Sequence, residues 1–279
     1  MPFTKLKTLE KNYEFFYVLG KISRFFVISF QNFVLLISGL YRRIGGYSKR
    51  YYKLKKMRSS HSGERCFIVA TGPSLTVQDL ELIQNEFSFG MNSVCMLYGK
   101  TKWRPSFYGI QDEEVYKRMK EYLFEEPSNV WVSSNIRKKD KESVIFNVFP
   151  LNSKYNYFLY RYTNKLKVRF SSNSYAIVYD AYSITFSLIQ IAVYLGFKKI
   201  YLLGCDCNQK VGQKNHFAEY GHVEEDNKLR TAADRNIYSH IKIKSFCEKK
   251  GVEIINCTRG GKLEVYQREE LEKVLKNND

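Results

Sequence analysis

The sequence predicts an α/β protein with a Rossmann-like, mostly parallel sheet covered by helices on both faces, preceded by a helical arm that associates with a membrane. Three observations carry this. Residues 65–85 read as a short β-rich run, a Thr71-Gly72-Pro73-Ser74 turn and a helix-spaced apolar pattern at Val77, Leu80 and Ile83, which is the opening βα unit of a doubly wound sheet. Residues 181–203 read as a buried helix, a stop at Gly196 and a strand, KIYLL, that runs into Gly204-Cys205-Asp206. Residues 25–41, FFVISFQNFVLLISGLY, contain no charge at all.

The chain has 279 residues, 44% of them hydrophobic, and a net charge of +17. That supplies a core for one α/β domain plus an appendage and excludes a mainly disordered chain or a mini-protein. The charge is concentrated: 13 of the 45 Lys/Arg, against only Glu10 and Glu14, lie in the first 60 residues. We therefore divide the chain into a basic arm, 1–62, and a folded domain, 63–279.

The arm comes first. As a helix, residues 25–41 would measure about 25 Å, short of the roughly 30 Å hydrocarbon core, and Gln31-Asn32 falls at the centre. No small-residue cleavage site precedes the basic run, so a signal peptide is disfavoured. An in-plane or re-entrant helix with a polybasic collar across 21–58 on an anionic membrane surface fits better. The alternatives are a true span and plain packing on the core. The mixture YRRIGGYSKRYY at 41–52 could grip RNA, but no nucleic-acid module follows, so nucleic acid is not an expected partner.

Within the domain, the turn at 71–74 can present backbone N–H groups to a phosphate, with Ser74 or Thr76 capping the helix behind it and Gly72 allowing close approach. Residues 87–94 read as a second strand ending at Asn92, and 106–110 as a third, followed by Gln111-Asp112 and a helix to about 122. Ligands of open α/β sheets bind at the carboxyl ends of strands, so Asn92 and Gln111 are placed to hold a base and ribose, and Asp112 and Asp206 to act in the chemistry. Short strands follow at 130–133 and 144–147, and 148–180 reads as a loop or lid. After the strand ending at Asp206 come a polar loop with Asn215-His216-Phe217, a helix over 227–250, a strand at 253–256, a turn Thr258-Arg259-Gly260-Gly261 and a helix over 268–276. Thr258, Arg259 and Gly260 are candidate donor contacts, Arg259 as a charge partner for phosphate.

Six cysteines are dispersed without a CxxC pair, which reads as a reducing, cytoplasmic compartment. Cys205 and Cys207 with His216 fall short of the four ligands of a structural zinc site, and no DxD pair occurs, so the expectation is no metal and no cofactor.

Taken in order, CFIVATGPSL, FGMNSVCML, TKWRPSFYGIQD, LIQIAVYLGFKKIYLLGCDCN, NHFAEYG and INCTRGGKLEVYQR resemble the bacterial surface-polysaccharide branch of the 6-hydroxymethylpterin diphosphokinase-like family over roughly residues 64–268. That family is in turn similar to bacterial CMP-sialic acid sialyltransferases, whose opening turn is GNGPSL where this chain has Ala70-Thr71-Gly72-Pro73-Ser74-Leu75, and whose later loop carries a catalytic His. The resemblance implies a GT-A-type fold, a nucleotide-sugar donor, the CMP ester, and a glycan or lipid-linked acceptor at the inner face of the cell membrane. His216 is the candidate general base, with an ordinary pKa near 6.5 that leaves it mostly neutral in cells. The competing reading is diphosphoryl transfer from ATP, with Mg²⁺ bridging phosphates to Asp112 and Asp206. A non-catalytic membrane scaffold is the third. Oligomeric state is left open, a homo-oligomer included.

Overall fold

A computed structural model describes residues 3–155, 168–208 and 226–276. The chain opens with α1, Phe3–Arg43, a helix of 41 residues, then α2, Tyr52–Lys56. The sheet begins at β1, Arg65–Val69, followed by α3, Val77–Leu82. Next come β2, Ser88–Met91; a 3₁₀ helix, Asn92–Lys100; β3, Phe107–Ile110; and α4, Glu113–Leu123. Then β4, Val130–Ser133, α5, Ser134–Lys139, β5, Asn147–Phe149, and two short strands, β6, Leu151–Asn152, and β7, Val178–Tyr179. The last third holds α6, Ile184–Leu195, β8, Lys199–Leu203, α7, Asp226–Glu248, β9, Glu253–Asn256, β10, Gln267–Arg268, and α8, Leu271–Lys276.

Eight strands form one sheet in the order β10-β9-β8-β1-β2-β3-β4-β5, and every neighbouring pair is parallel. The chain winds outward from β1 to β5, then returns to the other side of β1 with β8. The topological switch point therefore lies between β1 and β8, where such sheets open a crevice. Both faces are covered. Tyr108 on β3 meets the 92–100 helix, giving its hydroxyl proton to the Asn92 carbonyl. Its neighbour Gly109 must point the other way, and a Cβ there would sit 2.6 Å from Leu188 on α6. Strands buried on both faces are the reason 66–69, 88–91 and 107–110 read as continuous apolar runs.

Several expectations shift. The strand expected at 144–147 is a 3₁₀ helix, Glu142–Ile145, with β5 following it. Asp140 accepts from the Glu142 N–H at 2.8 Å and Ser143 donates to the Asp140 carbonyl at 2.6 Å, so local polar bonds curl the chain there. Residues 267–268 pair with β9 instead of starting the last helix. Within 148–180, expected as a loop or lid, β6 and β7 form a separate parallel pair. α6 starts at Ile184, where the Ser183 hydroxyl caps the N–H of Thr185, and stops at Gly196 in the left-handed conformation.

The arm does not hang free. Asn32 accepts from the Asn152 side chain at 2.9 Å. Gly39 lies where a Cβ would be 3.2 Å from the Ala176 carbonyl, and Leu36 packs against the core. Arg42 donates through Nε to the carbonyls of Tyr175 and Ala176 at 2.9 and 3.0 Å. Leu54 on α2 is fully buried in the domain core. From Tyr17 on, one face of α1 stays exposed: Tyr17–Arg43 has a mean hydropathy of 1.5, is long and apolar enough to cross a membrane, and only 6% of its most apolar stretch is fully buried.

Candidate functional site

At the switch point, the turn after β1 is stitched to the end of β8. Ala70 N–H donates to the Leu203 carbonyl at 2.8 Å and Gly72 N–H to the Gly204 carbonyl at 2.9 Å. Asp206 closes the junction: its Oδ2 accepts from the Ser74 hydroxyl at 2.8 Å, and a Cβ on Gly72 would stand 1.8 Å from that same oxygen. Glycine at 72 is thus required by Asp206, where close approach of a ligand was the expected reason. Burial raises the Asp206 pKa, and the Ser74 bond opposes the rise. Thr76, not Ser74, caps α3, in a reciprocal pair with Asp79. The phosphate-facing role expected of this turn is therefore narrowed, since its Gly72 N–H and Ser74 hydroxyl already have partners.

A cavity of about 350 Å³ opens beside this junction. Of the residues expected at the site, Thr71, Gly72, Asn92, Gln111, Asp112 and Asp206 line it together, coming from the ends of β1, β2, β3 and β8. Pro73 and Ser74 are not among its lining residues, and Ser74 reaches it only through its bond to Asp206. Asn92 takes a left-handed backbone, φ 49°, at the turn out of β2, a conformation Asn tolerates better than most residues. Asp112 caps α4, accepting from the N–H groups of Glu114 and Val115 at 2.9 and 3.0 Å.

The turn after β9 goes elsewhere. The Thr258 hydroxyl accepts from the Cys205 N–H at 2.9 Å, and the N–H of Lys262 donates to the Asp206 carbonyl at 2.7 Å, so this turn buttresses Asp206 from outside. Arg259 pairs with Asp79 at 2.6 Å and with Glu272 at 3.4 Å, and it lines a second cavity with Thr258. Gly260, with φ 69°, shapes that same turn. His216 lies outside the described residues.

Two lining residues that the expected site did not include bear on its chemistry, Asp180 and His240. Asp180, just past β7, accepts on Oδ1 from Gln111 Nε2 at 3.1 Å and from the Tyr182 N–H at 2.9 Å. Gln111 is itself fixed, its Oε1 accepting from the Ser187 hydroxyl at 2.7 Å, so Gln111 orients a carboxylate and has little left for a ribose. Burial, with the neighbouring Asp112 charge adding to it, pushes the Asp180 carboxyl up to about 6. His240, from α7, is the second. The His240 Nδ1 lies 3.0 Å from the Tyr266 hydroxyl, which also reaches the His240 carbonyl at 3.2 Å. Burial lowers its pKa to about 4, so the ring is neutral at cellular pH. Neither was legible beforehand: a two-residue strand precedes Asp180, and nothing in a helix pattern tells which residue of one turn reaches a crevice.

The described lining holds three aspartates and no Lys or Arg. Among the described residues, no three His, Cys, Asp or Glu side chains converge as a metal-binding group. What remains is a polar, acidic crevice at the carboxyl edge of a parallel sheet, with the carboxyls of Asp180 and Asp206 both raised by burial.

Residues 43–212 match the sequence model of the family described as 6-hydroxymethylpterin diphosphokinase MptE-like. The chain belongs to that family. The match takes in the switch point and every aspartate of the crevice, and it ends before His216 and His240. No curated protein and no solved structure matches the chain. For this MptE-like protein, membership together with the crevice points to a nucleotide-related transferase.

Proposed function

We propose that this MptE-like protein is a glycosyltransferase that moves a sugar from a nucleotide donor, the CMP ester, to a glycan or lipid-linked acceptor of bacterial surface polysaccharide, working from the inner face of the cell membrane. The observation that supports it is a connection. Asn152 donates to Asn32 of the apolar arm, and its carbonyl accepts the N–H of Asp180, which lines the crevice. A lipid-linked acceptor gives a reason to hold a crevice beside an apolar helix, and a small soluble pterin gives none. Charge supports the CMP ester: three aspartates repel phosphates, and a nucleoside monophosphate ester brings fewer negative charges than a triphosphate.

In such a transfer the acceptor oxygen bonds to the anomeric carbon and its proton passes to a base. The bond from that carbon to the phosphate oxygen breaks, and CMP leaves with the electron pair. Asp180 is the described group suited to take the proton, since a base works best with a pKa near the working pH. His216 is the proposed alternative. His216→Ala should lower kcat by roughly 10²-fold or more if it is the base, whereas Asp180→Asn should remove the acidic limb of the pH profile near 6 if Asp180 is.

The second reading, diphosphoryl transfer, draws on the family description and on Asp112 lying near enough to Asp180 to raise its pKa. Two carboxylates fit a Mg²⁺ that keeps several waters, and the ion would neutralise charge on transferring phosphates. Thermal shifts with CMP, CDP, UDP, GDP and ATP, each with and without Mg²⁺, decide between the two. CMP at saturating concentration should stabilise without metal, by about 2.7 kcal/mol at a hundredfold excess over Kd. A response to ATP alone, and only with Mg²⁺, overturns the glycosyltransferase reading.

A further inference from the structure

We infer that α1 lies in the plane of an anionic bilayer interface, seated between the lipid and the folded domain, and does not cross the membrane. This deepens the membrane placement proposed above and is independent of which group the enzyme transfers.

The length of helix already committed to the domain decides against a span. Asn32, Leu36, Gly39 and Arg42 recur at intervals of three or four, one face of a helix, and all four touch the domain. A helix crossing the bilayer as Tyr17–Arg43 would carry these residues, and the strand segment bonded to Asn32, into hydrocarbon. If the docked turns stay with the domain, residues 17–31 remain. Fifteen residues give about 22 Å of helix, against roughly 30 Å of hydrocarbon. Extending the span backward brings in Glu10, Lys11 and Glu14.

The same docking explains one of the two polar residues in the middle of the uncharged run. Asn32 is there for Asn152, whose amide would otherwise lose its acceptor.

A second face shows what covers the helix. Phe26, Phe30, Phe33, Ile37, Leu40 and Ile44 follow one another at steps of 4, 3, 4, 3 and 4, and each is exposed, Phe30 at 67%. A helical pair between two copies of the chain would bury this row alone and would flank it with charges. Here Val27, Val34 and Tyr41 lie exposed beside the row, and no charge occurs between Arg24 and Arg42. Lipid covers the whole breadth. Lys21 and Arg24 at one end, and the basic residues from Arg43 to Arg58 at the other, sit where headgroup phosphates would meet them.

The test uses the full chain. Purified protein should float with vesicles of phosphatidylcholine and phosphatidylglycerol and much less with phosphatidylcholine alone. Phe30→Asp combined with Phe33→Asp should cut flotation by about tenfold or more. Orientation is read in intact inside-out membrane vesicles from bacteria making the full chain with Thr4→Cys, labelled by a membrane-impermeant maleimide. Labelling is scored above that of the parent chain and its six cysteines. An in-plane helix leaves residue 4 on the same side as the domain, labelled before detergent as fully as after. Protection until detergent is added means that the helix crosses, and absence of flotation with either vesicle means that lipid is not its partner. Either result overturns the inference while leaving the nucleotide panel above untouched.

Discussion

Two helices of this chain are alike in sequence and opposite in surroundings. The apolar part of α1 and the whole of α6 are both long uncharged runs of Phe, Ile, Val and Leu with a few polar residues inside. In α6, eleven of twelve residues are buried. In α1 only 6% of the apolar stretch is fully buried, and the row from Phe26 to Leu40 is exposed. Their polar residues separate them further. Gln190 of α6 has every side-chain group paired: Nε2 donates to the carbonyls of Tyr179 and Phe186 at 2.7 and 3.3 Å, and Oε1 accepts from the N–H groups of Ser171 and Tyr179 at 3.0 and 3.1 Å. Asn32 of α1 makes one bond, to Asn152. Apolar content alone therefore does not tell a core helix from one with an exposed apolar face. The difference lies in how much surrounding protein the polar residues find.

The largest expected effect tests that contrast directly. Leu188 is fully buried on α6 against Gly109, so Leu188→Ala should cost about 2–5 kcal/mol of stability in urea unfolding. Phe30→Ala, the same kind of truncation on α1, should stay within about 0.5 kcal/mol. Equal losses would mean that α1 is a core helix and that its exposed face is covered by protein.

pH gives the next contrast, because the crevice holds two groups whose pKa values burial has moved, His240 and Asp180. His240 has a folded pKa near 4, below its ordinary 6.5, so the unfolded chain binds its proton more readily and stability drops as pH falls from 6.5 toward 4. Asp180 works in the opposite direction. Its folded pKa near 6 lies above the ordinary 3.8, the native state binds the extra proton, and stability rises as pH falls from 6 toward 3.8. Each shift corresponds to about 3 kcal/mol, so in the parent chain the two largely offset one another. His240→Gln should unmask a protein that gains stability on acidification, and Asp180→Asn one that loses it, both followed by thermal melts between pH 7 and 4. Parallel profiles for the two variants would mean that neither group is held as buried as the structure has it. Vesicle binding should not change across the same range.

How much of this was readable in advance follows the same division. Strands buried on both faces announce themselves as apolar runs, so β1, β2, β3, β4 and β8 were found, and with them Asn92, Gln111, Asp112 and Asp206 at the strand ends. Strands of two residues carry no period to detect, which is why β6, β7 and β10 were missed, and Asp180 with β7. The turn at Thr258-Arg259-Gly260 looked equivalent to the one at Thr71-Gly72-Pro73. What distinguishes them is Asp79, which holds Arg259 away from the crevice across a separation of 180 residues that no local pattern encodes.

The smallest effect is expected at Asn32, and it bears most directly on the comparison because the two roles of α1 pull this residue in opposite directions. If α1 only sought lipid, Asn32→Leu would improve it: the amide is costly in hydrocarbon and leucine is favourable there. If the helix is clamped to the domain, the same change leaves the Asn152 amide without its acceptor and should lower stability by about 1 kcal/mol. Asn152 also accepts through Oδ1 from the N–H groups of Lys154 and Tyr155 at 3.0 and 3.2 Å, and its carbonyl takes the N–H of Asp180. The loss should therefore reach the crevice, seen as a weaker nucleotide-induced thermal shift in Asn32→Leu than in the parent chain, with vesicle binding equal or tighter. Tighter vesicle binding with stability and nucleotide response unchanged would show that Asn32 does not tie the arm to the site, and α1 would then be an anchor that merely neighbours the enzyme.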